Sequence, residues 1–480
     1  MTAAQPIEAE VPPASHLHAV LRRLKEGARK RGTPTCDARI DSLTRLEQAL
    51  VARKDAIART ISKDFGSRSK HETFTAEIFI LLGAIKHAKA HLRDWMELEE
   101  RSTNWTLVPS ISQVSYQPLG VVGIISPWNY PVQLALSPMV AALAAGNGAM
   151  LKPSELVPET AELIRDILAE TFESDHVAVV TGGSEVGHEF ARLPFDHLVF
   201  TGSTRVGKLV MRAASDNLVP VTLELGGKSP AIVGADFSPR TAAARIMAGK
   251  TLNAGQTCIA PDYALVPESA RDAFVDACRA AVAKMYPSLE QNPDYTAIIN
   301  EGHHARIRGL IEDARTRGAS VVELNLRGES LSLEARKIAP TLILSPNVDM
   351  LCMQEEIFGP VLPIVTYGRL DEALEYVNAR PRPLSLYYFG YDRATVDRVV
   401  AETISGGVTV NETMLHFVQE DLPFGGVGPS GMGQYHGREG FRSLSLKRPI
   451  FRQSRINTSR LMRPPFGPMA DRLLRLLLRS

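Results

Sequence analysis

Cysteine is scarce in these 480 residues: Cys36, Cys258, Cys278 and Cys352 lie far apart and form no C-x-x-C pair. That excludes a disulfide-stapled scaffold and points to reduced thiols, hence a cytoplasmic protein. An excess of either charge is missing too. With 54 Lys and Arg against 53 Asp and Glu, no field over the surface gathers nucleic acid or acidic partners. No apolar run reaches the roughly eighteen residues of a membrane span; the nearest approach, Pro138 to Leu151, is broken by Asn147 and glycines. The first fourteen residues carry Glu8, Glu10 and a Pro pair but no basic start before an apolar stretch, so they do not read as a signal peptide. The twelve histidines avoid ligand spacing with cysteines and acids, His303 and His304 being mere neighbours, and no metal is expected.

What is present is ordinary globular composition, 44% hydrophobic over a length that suits two or three domains. From Ser15 to Glu100 apolar residues recur at three and four spacing, as in Leu43-Leu46-Leu50, which predicts helices. Residues 107–117 alternate polar and β-branched residues like a strand or hairpin arm. Five short apolar runs follow, at 121–126, 149–152, 177–180, 197–200 and 221–225, each separated from the next by a helical stretch. That alternation predicts a parallel, doubly wound sheet with helices on both faces. A second α/β series starts after Gly227, with strands at 231–233 and 263–266, and no loose linker divides the halves. The tail, 452–480, holds seven arginines and one acid and ends in a Leu-rich amphipathic run. Such a helix suits a membrane surface or, being short, packing on the protein itself or on a partner subunit.

Local chemistry concentrates at a few places. Cys258, in Asn253-Ala-Gly-Gln-Thr-Cys258, sits among small and polar residues that break any apolar face. Amides of a loop-to-helix junction would lower its pKa and make it a nucleophile, the alternative being a small buried hydrophobe. Glu224 alternates with Leu223 and Leu225 in a strand and precedes Gly226-Gly227, so it faces either a cleft, as a base, or solvent. Asn129 lies where the first strand of the sheet ends; its amide could donate to an oxyanion, or it is a turn residue between prolines. Gly202 and Ser203 join a strand to a helix and would offer amides and a hydroxyl to a phosphate. Lys152 and Glu155 follow another strand end and suit ribose hydroxyls, and a carboxylate there disfavours a 2′-phosphate and so NADP. Two decoys are set aside: Gly426-Val-Gly-Pro-Ser-Gly431 follows no clear strand, and Gly227-Lys-Ser229 lacks the first glycine of a P-loop.

In order and spacing, Pro127-Trp128-Asn129-Tyr-Pro131, Lys152-Pro-Ser-Glu155, Phe200-Thr-Gly-Ser-Thr204, Leu223-Glu-Leu-Gly-Gly-Lys228, Gly255-Gln-Thr-Cys258 and Glu355-Glu-Ile-Phe-Gly-Pro360 resemble the NAD(P)-dependent aldehyde dehydrogenase superfamily. The likeness runs from about Ser15 to Phe451. Cys258-Ile-Ala-Pro-Asp-Tyr263 and the 422–437 segment resemble its class 3 branch, within it most of all the coniferyl aldehyde enzymes. The resemblance implies a Rossmann-type NAD-binding domain (15–106 and 119–226), an α/β catalytic domain (227–434), and a small β bridging arm (107–118 and 435–451) of a homodimer. It implies Cys258 as nucleophile, Glu224 as base and Asn129 as oxyanion donor. It places Trp128, Lys152, Glu155, Gly202, Ser203, Glu356 and Phe358 at NAD, with NADP as the other possible cofactor. The expected activity is oxidation of a small-molecule aldehyde through a thioester. Coniferyl aldehyde is the first candidate, and fatty aldehydes or acyl transfer to coenzyme A are the alternatives.

Overall fold

The computed structural model describes residues 14–457 and 463–478; the N-terminal segment read above and part of the basic tail lie outside the described residues. The chain opens with helices Ala14–Arg31 and Cys36–Phe65. Thr35 caps the second, its side chain accepting from the Ala38 amide, and Gly66 ends it at φ +81°. Leu43, Leu46 and Leu50 are fully buried, as their spacing required. After the short turn Lys70–Thr73 the chain passes through a π-helical segment, Phe74–Phe79, before regular helix resumes over Ile80–Trp95. That wide turn is not legible in the periodicity. It carries the buried Glu77 inward, and π-turns often mark functional positions.

The first sheet contains β1 (Val121–Ile125), β2 (Gly148–Lys152), β3 (Val177–Val179), β4 (His197–Gly202) and β5 (Val221–Leu225). Their spatial order is β3-β2-β1-β4-β5, all parallel. This is the doubly wound order, and it puts a topological switch point between the carboxyl ends of β1 and β4, where ligands bind in such sheets. One strand was not foreseen: Gly431–Met432 returns from late in the chain and pairs antiparallel with Glu224 and Leu223 of β5. The rejected glycine motif thus forms a tight turn that covers the sheet edge next to Glu224.

The second sheet has seven strands, in the order Ser320–Glu323, Thr341–Leu344, Val361–Tyr367, Tyr263–Pro267, Pro230–Val233, Ser385–Phe389, Gly407–Val410. Only the first is antiparallel to its neighbour. A separate three-stranded antiparallel sheet joins Glu99–Arg101, Ile111–Pro118 and Ser445–Arg452. Helical periodicity had been extended to Glu100; edge pairing with Ile111–Pro118 turns those last residues into strand instead. The tail forms the helix Pro468–Leu477. No described helix is long and apolar enough to cross a membrane.

Candidate active site

Between the two sheets runs a tunnel of about 300 Å³ whose lining includes Cys258, Glu224, Thr201, Tyr130, Leu134 and Phe424. Cys258 follows a short 3-10 turn, Leu252–Gly255, in which Asn253 and Ala254 take left-handed backbone angles of φ +51° and +52°. Such strain persists only where neighbours over-determine it, and here they do. The Asn253 amide N–H donates to Glu72 Oε1 (3.1 Å), and its Nδ2 donates to the Asn129 and Gln256 carbonyls (2.9 and 3.1 Å). The Gln256 amide N–H₂ reaches the carbonyls of Asn253 and Ala297 while its oxygen accepts from the Ile299 amide. The thiol is therefore carried on a loop clamped from several segments.

The thiol itself departs from the sequence reading. Backbone N–H groups of Cys258 and Ile259 do favour the thiolate, but burial and the nearby carboxylates of Glu356 and Glu224 outweigh them and push its pKa up to about 12. The loop amides were expected to win. They lose because the tunnel walls are apolar and the neighbouring carboxylates add negative charge when they ionise.

Glu224 is 3% exposed, which rules out the solvent-facing alternative. It pairs in register with Thr201 of β4, so both side chains share one face of the sheet. Neither Glu224 carboxylate oxygen has a hydrogen-bond partner, nor has Thr201 Oγ1. Burial lifts the Glu224 pKa well above the ordinary carboxylate range, which makes the ionised form a stronger base. Asn129 is also 3% exposed, and one of its amide hydrogens goes to the Gln256 carbonyl (3.1 Å). The amide carries a second hydrogen, and Asn129 itself lines neither the tunnel nor the cleft.

On the other side of Thr201 opens a larger cleft of about 880 Å³, at the carboxyl ends of β1, β2 and β4. Trp128, Lys152, Glu155, Gly202 and Ser203 all line it. Ser203 caps the helix Thr204–Ser215, its hydroxyl accepting from the Val206 amide, so the helix N-terminus faces the cleft as an anion site requires. Lys152 and Glu155, assigned separately to ribose hydroxyls, touch one another at 2.5 Å. Thr201 lines both cavities, so the cleft lies next to the tunnel that holds the thiol and base. A long cofactor in the cleft and a small substrate in the tunnel fit this arrangement, and the unpartnered Thr201 hydroxyl lies where they would touch.

Glu356 and Phe358 line neither the cleft nor the tunnel. Phe358, at φ +47°, sets its ring edge-on to Trp128 at 5.4 Å. The Glu356 carboxylate lies against Gly226, where a Cβ would collide with it, and burial raises its pKa to about 8. The 355–357 segment is pinned by groups not singled out as functional. Lys228 Nζ pairs with Asp262 and donates to the Glu355 carbonyl, while the Ile357 amide donates to Asp262 Oδ1. Arg306 adds bonds to the Glu356 and Ile357 carbonyls. Lys250, 1% exposed and with no partner for Nζ, sits in this same charged surrounding. Also missed were Arg68 and Glu77, a fully buried ion pair. The one signal was a carboxylate inside the apolar run Phe74–Ile80. Leu415 and Phe417 line the tunnel, whereas His416 between them turns away to Ser385 and Thr409. Among the described residues no cluster of three or more His, Cys, Asp or Glu could hold a metal.

Residues 13–448 match the aldehyde dehydrogenase family. The chain belongs to that family. A relative from Caulobacter vibrioides, named a probable coniferyl aldehyde dehydrogenase, is 50% identical over 457 residues, 94% of either chain. A substrate-bound Staphylococcus aureus AldH superposes with a TM-score of 0.90 at 39% identity, covering 96% of this chain and 99% of that one. The NAD⁺ complex of a Mycobacterium tuberculosis aldehyde dehydrogenase gives 0.83 at 28% identity, over 92% and 91%. This aldehyde dehydrogenase has the expected fold, a doubly wound cofactor sheet beside an α/β catalytic sheet, and NAD is its cofactor.

Proposed function

We propose that this aldehyde dehydrogenase oxidises coniferyl aldehyde to ferulate through a covalent intermediate on Cys258. The observation that carries the reading is that Cys258 and Glu224 line one tunnel whose Thr201 also lines the neighbouring cleft. The Cys258 thiolate adds to the carbonyl carbon and forms a C–S bond. The free Asn129 amide hydrogen and the Cys258 N–H hold the resulting oxyanion, each such donor being worth about 3 kcal/mol. Lys152, Glu155, Gly202, Ser203 and Trp128 would hold NAD, with Glu356 and Phe358 near its nicotinamide, and the bound cofactor would accept the hydride lost from the tetrahedral carbon as the oxyanion collapses to the thioester carbonyl. Glu224 then takes a proton from water, whose oxygen attacks the thioester carbon; the C–S bond breaks and the carboxylate leaves.

The aromatic substrate is supported by the name of the Caulobacter relative and by tunnel walls of Ile80, Leu134, Phe417 and Phe424, with no cation among the lining residues. A neutral, apolar aldehyde suits such walls, and they would also take an aliphatic chain. The test is NADH formation with coniferyl aldehyde and hexanal side by side, each with NAD and NADP. A much higher kcat/KM for coniferyl aldehyde is expected; preference for hexanal would move the enzyme to the fatty aldehydes. The division into domains at about 226 and 434, with 107–118 and 435–451 as the bridging arm of a homodimer, belongs to the same reading.

A further inference from the structure

Arg68 and Glu77 have side chains with no exposure to solvent, and their ion pair measures 3.1 Å. Burying two charges is costly and is seldom kept for stability alone, since apolar residues of like volume do as well. What these charges hold is backbone. Arg68 Nη1 donates to the Asn129 carbonyl at 2.9 Å. Glu77 Oε2 accepts from the amides of Val132 and Gln133 (2.8 and 3.1 Å). The turn carrying Asn129, from Asn129 to Gln133, is thus gripped at both ends. The Arg68 guanidinium also lies over the rings of Phe65 and Tyr130, 5.1 and 4.8 Å from their centroids, which fixes its plane. The Asn129 carbonyl that Arg68 holds also accepts from Asn253 Nδ2 (2.9 Å). The carbonyl that Arg68 holds is thus the same one that ties the Asn129 turn to the Cys258 loop.

We infer that Arg68, braced by Glu77, is a positioning residue for the oxyanion site: it sets the Asn129 amide relative to the Cys258 thiol without touching substrate. The inference rests on Asn129 as the oxyanion donor. A lysine at 68 keeps the charge but loses the guanidinium plane that lies over Phe65 and Tyr130 and from which Nη1 reaches both Glu77 and the Asn129 carbonyl. Misplacing an oxyanion donor slows addition to a carbonyl, yet leaves thiol alkylation untouched, because alkylation forms no oxyanion.

The experiment compares R68K, N129A and the R68K/N129A double variant of the full chain. The measurements are kcat for aldehyde oxidation, KM for NAD, and the rate at which iodoacetamide alkylates Cys258. We expect R68K to lose tenfold or more in kcat with alkylation rate and NAD KM within about twofold of the parent. In the N129A background the same substitution should cost little more, since the donor it positions is gone. If R68K lowers kcat by the same factor with and without Asn129, or slows alkylation as much as oxidation, Arg68 serves the fold and the inference falls. Full turnover by N129A would instead remove Asn129 as donor. Should R68K not fold, E77Q tests the same brace: it keeps an acceptor for both amides but not the charge that holds the guanidinium.

Discussion

A thiol and a carboxylate sharing one apolar tunnel, with a second carboxylate, Glu356, close enough to act on the thiol, set the chemistry residue by residue. With burial and Glu356 and Glu224 pushing the Cys258 pKa to about 12, the resting thiol is protonated at neutral pH. Its thiolate fraction then grows about tenfold per pH unit. Alkylation of the NAD-free enzyme by iodoacetamide should climb steadily from pH 7 to 10; a plateau below pH 9 would contradict the raised pKa. Removing one negative neighbour favours the thiolate, so E224Q should be alkylated at pH 8 at least as fast as the parent. The same variant should lose about 10² or more in aldehyde turnover because the base for thioester hydrolysis is gone. A slower alkylation together with normal turnover would reverse both roles. Cys258 and Glu224 were legible in the sequence because each sits in a run whose small residues serve no apolar core. The direction of the thiol shift was not, since it depends on Glu356, which comes from a segment about a hundred residues away.

At the scale of elements, the turn Leu252–Gly255 decides where the thiol stands. Gly255 has φ +76°, and a Cβ there would run into the Gly359 carbonyl oxygen, with the Lys250 carbonyl close by. Backbone atoms cannot swing aside as a side chain can, so G255A must move the loop or the Glu355–Pro360 segment opposite. We expect thermal denaturation to show a loss of more than about 1 kcal/mol and kcat to fall at least tenfold, with NAD binding retained. An alanine variant of normal activity and melting temperature would mean that the loop is not held by this contact. The parallel strands were readable from short apolar runs alternating with helices. The π-helical turn Phe74–Phe79 and the strand Glu99–Arg101 were not, because helical periodicity runs through both, nor was the edge strand Gly431–Met432, because its partner in β5 lies about two hundred residues away.

For the whole molecule, the three-stranded arm leaves Trp105, Val108, Ile111, Leu446 and Phe451 between 48% and 70% exposed. Exposed apolar side chains of that kind, on both faces of the arm since Ile111 pairs with Arg452 and Phe451 with Ser112, call for a partner, and a second copy of the chain is the occupant in the reading above. Introducing charge with I111D and F451D together should yield a monomer in sedimentation measurements. Persistence of the parent's oligomeric state would place the interface elsewhere. The sequence by itself determined the family, the doubly wound order of strands and helices, and the loop that bears Cys258, because local periodicity and motif spacing carry that information. Only the tertiary structure decided that Thr201 lines both tunnel and cleft, that Lys152 and Glu155 face each other, and that Arg68 with Glu77 grips the Asn129 turn. It alone also decided that the thiol is disfavoured as an anion. Burial and electrostatic coupling act through space between segments far apart in the chain, and no local pattern of residues records them.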